Sequence, residues 1–186
     1  MKSTFFHIGV NRTLAKRKGL QEPQVNEDGS IPFVPLPSHH DPDFDNLTYG
    51  DPWGRLTSFA PGDIAWFIES GTVNGVDWGY YIVAFLVIEQ MYAKKAGKWN
   101  KRMPRTHVER IHRNVHELRS DLEYAIILGS EKSRTLFRQP YRFSKGQDPF
   151  PKMKVLLGLP LEKQATGYWF KKWFSQDKTD NLLQKI

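Results

Sequence analysis

Nine consecutive residues, Tyr80-Tyr81-Ile82-Val83-Ala84-Phe85-Leu86-Val87-Ile88, carry only apolar or aromatic side chains. A strand built from them is apolar on both faces, so it must be covered on both faces, as central strands are. The run is far shorter than the roughly 20 residues a helix needs to cross a bilayer. We therefore expect a buried strand over Tyr80–Glu89 and no membrane partner. The signals around it are β-type as well. Pro61-Gly62-Asp63 is a turn, and Ile64–Glu69 after it reads as a strand. A short Gly-containing loop, Ser70-Gly71 to Asn74-Gly75, makes the two strands antiparallel neighbours.

The rest of the chain extends this pattern. Phe5–Val10 and Tyr124–Gly129 read as strands, and Pro140–Phe143 as a short edge strand. Thr106-His107-Val108-Glu109 has the capping-box spacing, and Val108, Ile111, Val115 and Leu118 recur at helical spacing, so a helix is expected over about 107–119. Ser130–Arg134 is a polar turn expected to open a short helix through Phe137. Pro151–Leu157 reads as a short helix stopped by Gly158. An aromatic helix is expected over 166–174, with Trp169, Phe170, Trp173 and Phe174 packing inward and a polar tail fraying beyond it. The sum is an α+β fold in a single domain, residues 1–186. It has a mostly antiparallel sheet or small pseudobarrel and three or four flanking helices.

Composition narrows the chemistry. There is no Cys among the 186 residues, which removes disulfides and thiolate metal sites. The start of the chain lacks the basic-then-apolar pattern of a signal peptide, so a cytoplasmic location is expected. The net charge of +7 is concentrated. Residues 91–119 hold nine basic side chains against Glu109 and Glu117, and the remainder is balanced. A concentrated basic strip is the footprint of a polyanion partner, although such runs are commonly solvated faces. Tyr92 and Trp99 lie within it and favour nucleic acid, because grooves for single strands combine phosphate pairing with ring stacking.

The densest polar chemistry lies in His39–Arg55, which holds two imidazoles, four carboxylates, a phenol, an indole and a guanidinium. Its two prolines and two glycines argue against a helix or a central strand. His40, Asp41 and Asp43 are the candidates for proton transfer. His39, Tyr49, Asp51, Trp53 and Arg55 can hold a base by hydrogen bonding, stacking and phosphate pairing. The same residues also suit a plain loop in which Asp41 and Asp51 cap turns and Tyr49 and Trp53 fill the rim of the core. His39, His40, Asp41 and Asp43 are metal-type ligands, but adjacent histidines seldom aim at one point, and no metal is expected. His112 and His116 sit one helical turn apart, yet Arg113 takes the place of the glutamate a zinc-protease helix needs; a solvated basic face is expected. Lys132, Ser133 and Arg134, with Arg110 and Arg113, are the candidate phosphate holders. No cofactor is indicated.

Several motifs in order carry a resemblance. They are Asp28-Gly29-Ser30 leading to Phe33-Val34-Pro35-Leu36-Pro37, His40-Asp41-Pro42-Asp43-Phe44, Thr48-Tyr49-Gly50-Asp51, Pro61-Gly62-Asp63 with Phe67, Tyr80-Tyr81-Ile82-Val83, and Gly129-Ser130-Glu131-Lys132-Ser133-Arg134. The set, running from Phe5 to about Leu159, resembles the third class of nucleotide-modification-associated domains, a family linked to DNA base hypermodification in phages and prokaryotes. The resemblance implies a nucleic-acid-associated protein that recognises or modifies a nucleotide base, and it strengthens the phosphate reading of Lys132–Arg134. The Pro61–Ile68 turn-and-strand with Tyr80–Glu89 is also similar to PUA-like pseudobarrels, which implies the alternative of a non-catalytic reader of RNA or a modified DNA base. The chain has no Cys-x-x-Cys pair, no Walker loop and no Gly-x-Gly-x-x-Gly, which disfavours a zinc deaminase or a dinucleotide enzyme.

Overall fold

The computed structural model describes residues 1–7, 42–51, 55–73, 76–111, 123–135, 141–144 and 173–186. Among them the fold is mixed α+β, with seven strands in mostly antiparallel pairings, two α-helices and one 3-10 turn. No helix among them is long and apolar enough to cross a membrane. Contacts divide the chain into two compact units. One contains the described residues within Met1–Leu36, Ile64–Phe85 and Leu136–Ile186, the other those within Pro37–Asp63 and Leu86–Thr135.

The first unit is built on β1 (Ser3–His7), β3 (Ile64–Val73), the opening half of β4 (Val76–Lys95) and β7 (Tyr141–Ser144). β1 and β3 run parallel with Phe5 beside Trp66 and Phe6 beside Phe67. Successive side chains leave a strand on opposite faces, so these two pairs face opposite ways, and all four rings are buried. Phe5 stacks on Trp66 at 6.2 Å, Trp66 meets Phe85 at 5.0 Å, and Phe174 sets its edge to Phe5 at 5.5 Å. β7 pairs antiparallel with β4, Ile82 opposite Tyr141.

The C-terminal end departs from expectation. Within the helix expected over 166–174, only Trp173 and Phe174 are described, and Phe174 forms a two-way backbone bridge with Ser3. The helix comes later, at α2 (Gln176–Leu183), in the segment expected to fray. Its polarity hid it, since Thr179 and Leu182 alone among its residues are buried. Thr179 donates its hydroxyl to the Ser175 carbonyl at 2.8 Å, so the Ser3 hydroxyl donates to Thr179 at 2.7 Å.

In the second unit β6 (Tyr124–Gly129) lies between the closing half of β4 and β2 (Thr48–Asp51), antiparallel to both. β2 is therefore part of the Pro- and Gly-punctuated segment, and it is strand rather than loop. Among the described residues β6 is its one partner strand, and Thr48 adds an isolated bridge to Asp43. Gly50 is required there: a Cβ would stand 1.7 Å from the Tyr124 hydroxyl oxygen, so the ring occupies the space a side chain would need. β4 turns through Ala96-Gly97, both at positive φ, into β5 (Lys98–Trp99), as two-residue hairpins require. The basic strip thus begins as a hairpin.

The first helix, α1, spans Arg105–Ile111, and the 3-10 turn Arg55–Ser58 buries Leu56. Two expectations for α1 change. The helix starts before Thr106, with the Pro104 carbonyl receiving the His107 and Val108 N–H groups, so Thr106 is no cap and Glu109 pairs with Arg105 at 2.9 Å. Val108, expected inward, is 47% exposed, while Ile111 is buried. Residues 112–119, the expected short helix through Phe137 beyond Thr135, and Pro151–Leu157 lie outside the described residues. Arg134 itself is in a β-bridge.

Candidate functional site

The tight turn between Asp43 and Thr48 brings the polar segment onto the sheet. Asp43 and Thr48 exchange backbone hydrogen bonds at 2.9 Å. The Asp43 carboxylate is buried and occupied locally: Oδ1 accepts the Asn46 N–H at 3.2 Å and Oδ2 the Asn46 side-chain amide at 2.7 Å. The turn-closing role expected of Asp41 and Asp51 is thus filled by Asp43, a residue expected to transfer protons. Leu47 then takes a left-handed conformation, φ 54°, and its carbonyl accepts the Gly129 N–H at 2.7 Å.

Gly129 ends β6 and opens the Ser130–Ser133 turn. Ser133 closes that turn by donating its N–H to the Ser130 carbonyl at 2.9 Å, and its hydroxyl oxygen accepts the Val87 N–H at 3.0 Å. A Cβ on Gly129 would lie 2.6 Å from that hydroxyl oxygen. Glu131, Lys132 and Arg134 are exposed.

Arg110 of α1 joins both turns. Its Nε donates to the Asn46 carbonyl at 3.1 Å, its Nη2 to the Gly129 carbonyl, and its Nη1 to Glu89 Oε2 at 2.8 Å. The structure therefore brings together three separate candidate segments: the polar segment, the basic helix and the Lys132–Arg134 turn.

The same helix face carries a second contact. His107 meets Glu89 Oε1 through Nε2 at 3.2 Å and Tyr92 Oη through Nδ1 at 2.7 Å. Arg110, above all through its hydrogen bond, holds the Glu89 carboxyl below the usual carboxylate range. The ionised carboxylate only accepts, so the imidazole proton belongs on Nε2. Burial, with the charge of Glu89 adding to it, pushes the Tyr92 phenol above its ordinary range, and in the neutral imidazole Nδ1 accepts the phenol proton. The result is a directed chain: Tyr92 donates to His107, His107 to Glu89, and Arg110 closes the other carboxylate oxygen.

The chain has the order of a nucleophile-activating triad but not its access. Tyr92 is 1% exposed, so its hydroxyl cannot meet a substrate. Its chemistry is to fix α1 on β4. Burial also removes Tyr92 as a stacking platform, correcting the expectation for it. Trp99 is half-buried and packs with Met103 against the cluster of Tyr92, Ile111, Tyr124, Ile126 and Leu128.

Of the sequence-derived candidates, Asp43, Tyr49, Arg110, Lys132, Ser133 and Arg134 are placed with their side chains, and Asp51 and Arg55 by backbone alone. Tyr49 is half-buried on β2. His39, His40, Asp41, Trp53 and Arg113 lie outside the described residues, as do His112 and His116. Among the described residues no three His, Asp or Glu side chains gather into a metal-holding group. Sequence reasoning missed Glu89, Tyr92 and His107 as one unit. The available signals were an acid ending a nine-residue apolar run, and His107 with Arg110 three apart on one helical face. Comparison with protein-family models, with curated proteins and with solved structures gives no match to this chain.

Proposed function

We propose that this is a nucleic-acid-associated protein that recognises or modifies a nucleotide base. The polar segment His39–Arg55 serves as the base site, and the exposed Lys132 and Arg134 hold phosphate. One observation carries the reading: Arg110 hydrogen-bonds at once to the Asn46 carbonyl of the polar segment, the Gly129 carbonyl at the head of the Ser130–Ser133 turn, and Glu89, so the two segments are tied to one helix. In this reading Arg110 and Ser133 shape the site rather than touch the ligand, since both are engaged by protein groups. His40 and Asp41 remain the candidates for proton transfer. The resemblance to nucleotide-modification-associated domains points the same way, with a PUA-like pseudobarrel as the finer form of the fold and the cytoplasm as the place of action.

A second reading has its own support. With both Asp43 oxygens closing a turn, one of the three proposed proton-transfer groups is already committed, which favours a non-catalytic reader of RNA or a modified DNA base. Mass spectrometry of oligonucleotides and nucleosides incubated with the protein separates the two. An enzyme changes the mass of a base. A reader binds and leaves it unchanged. In either case His40→Ala abolishes the effect at an unchanged melting temperature. Absence of both binding and mass change overturns the proposal.

A further inference from the structure

Residues 90–108 contain no carboxylate and six cations, Lys94, Lys95, Lys98, Lys101, Arg102 and Arg105. Five of these, all but Lys94, are exposed, and they crowd onto the β4–β5 hairpin and the entry to α1. Their compensation is slight. Lys95 lies 3.9 Å from Glu123 and Arg105 pairs with Glu109, each pair largely exposed and so weak in water. Arg110, by contrast, is neutralised by Glu89. The cationic field of this unit therefore belongs to the hairpin more than to the Arg110 junction.

We infer that the β4–β5 hairpin and the residues leading into α1 form a docking surface for the phosphate backbone of a polynucleotide, so that the substrate class is a strand and not a free nucleotide. The inference rests on the nucleic-acid reading above and narrows it. Several cations spread along one element match a ligand with charge repeated along its length. A mononucleotide needs only one such cluster. The chemistry around the cations disfavours other polyanions. Val108 is the one large apolar side chain exposed on the hairpin and helix among the described residues, too little for the apolar anchors of a protein interface or the apolar face of a membrane-surface helix.

The structure also sets the manner of contact. Tyr92 is buried beneath Lys101, whose ammonium stands 5.3 Å from the ring centre, and Trp99 packs on the core. Tyr92 therefore offers no face for a base, and Trp99 is half-buried. The hairpin reads charge and not sequence, and its binding is steeply salt-dependent with little base preference.

The test measures fluorescence anisotropy of labelled oligonucleotides of mixed and homopolymer sequence, with mononucleotides as competitors, from low to moderate salt. It compares the full chain with Lys95→Ala/Lys98→Ala/Arg102→Ala, whose three side chains are exposed, and melting curves confirm that the variant folds. The full chain binds each oligonucleotide with similar affinity and far more tightly than a mononucleotide. The variant loses about two to three units of the log–log salt slope and about tenfold or more in affinity near 0.1 M salt. If the variant binds oligonucleotides with an unchanged slope, or mononucleotides compete as well as strands, the inference falls while the base-recognition reading stands. If neither strands nor mononucleotides bind, both fall. Binding to phosphatidylserine vesicles without binding to oligonucleotides overturns the inference in favour of a lipid surface.

Discussion

The two halves of β4 solve opposite problems with one strand. In the opening half Ile82, Ala84 and Phe85 are buried, and the unit around them is an aromatic core of Phe5, Trp66, Phe85 and Phe174. In the closing half Glu89, Tyr92 and Lys94 replace apolar residues, and a charged helix face is packed against them. The first unit gains stability from area removed from water. The second also seats charged and polar groups on the closing half of β4, where Glu89, Tyr92, His107 and Arg110 partner one another. Each unit tolerates a polar atom left over: the Trp66 indole nitrogen in the first and the Ser130 hydroxyl oxygen in the second are buried with no hydrogen-bond partner among the described residues. An unpaired group in the Tyr92–His107–Glu89–Arg110 chain weakens the seating of the helix on the sheet. A core built on area is robust to small changes of chemistry, whereas a chain of hydrogen bonds is sensitive to single atoms.

The contrast can be broken at its extremes. Trp66→Ala empties the aromatic core and lowers stability by about 3–5 kcal/mol in a denaturant melt, with the closing half of β4 untouched. A smaller loss would mean that the core collapses onto the gap. Next, Gly50→Ala drives a Cβ into the Tyr124 ring and costs about 1–3 kcal/mol. Adding Tyr124→Leu recovers part of that, and strict additivity would show that the close approach is not the cause. Tyr92→Phe keeps ring and shape but leaves His107 Nδ1 without its donor, at about 1 kcal/mol.

The smallest effect sharpens the electrostatic side. Glu89 is held below the usual carboxylate range by Arg110, so its contribution is fully present above the unfolded pKa and fades as pH falls through the lower, folded one. Glu89 is 40% exposed, and solvent screening limits the effect to under about 1 kcal/mol. Stability measured from pH 7 downward falls on the acid side in the native chain, and part of that fall is absent in Glu89→Gln. Identical acid limbs in the two proteins would show that the ion pair does no such work.

What the sequence made legible follows the same division. Tyr124–Gly129 is a strand with the expected bounds, and Ile64–Glu69 and Tyr80–Glu89 fall inside longer strands, because apolar side chains announce burial by themselves. The polar contacts were not legible. Glu89 and His107 are separated by a hairpin and a turn, and no local pattern says that they meet. Reading Val108 as core failed for the same reason: apolar periodicity assumes an apolar inner face, and here His107 and Arg110 point at the sheet. α2 was missed because only Thr179 and Leu182 anchor it, and the hydroxyl of Ser3, 176 positions away, receives it. Arg110, expected to hold phosphate, instead ties the Asn46 and Gly129 carbonyls and Glu89 to α1, contacts that no local sequence pattern announces.

The seating of α1 on β4 rests most on the direction of the Tyr92–His107–Glu89 chain, and nitrogen-15 NMR of the histidine ring reads it directly. At a pH where the imidazole is neutral, His107 should show a single fixed tautomer with the proton on Nε2 and Nδ1 accepting from Tyr92. A proton on Nδ1, or the averaged shifts of a freely solvated ring, would contradict it.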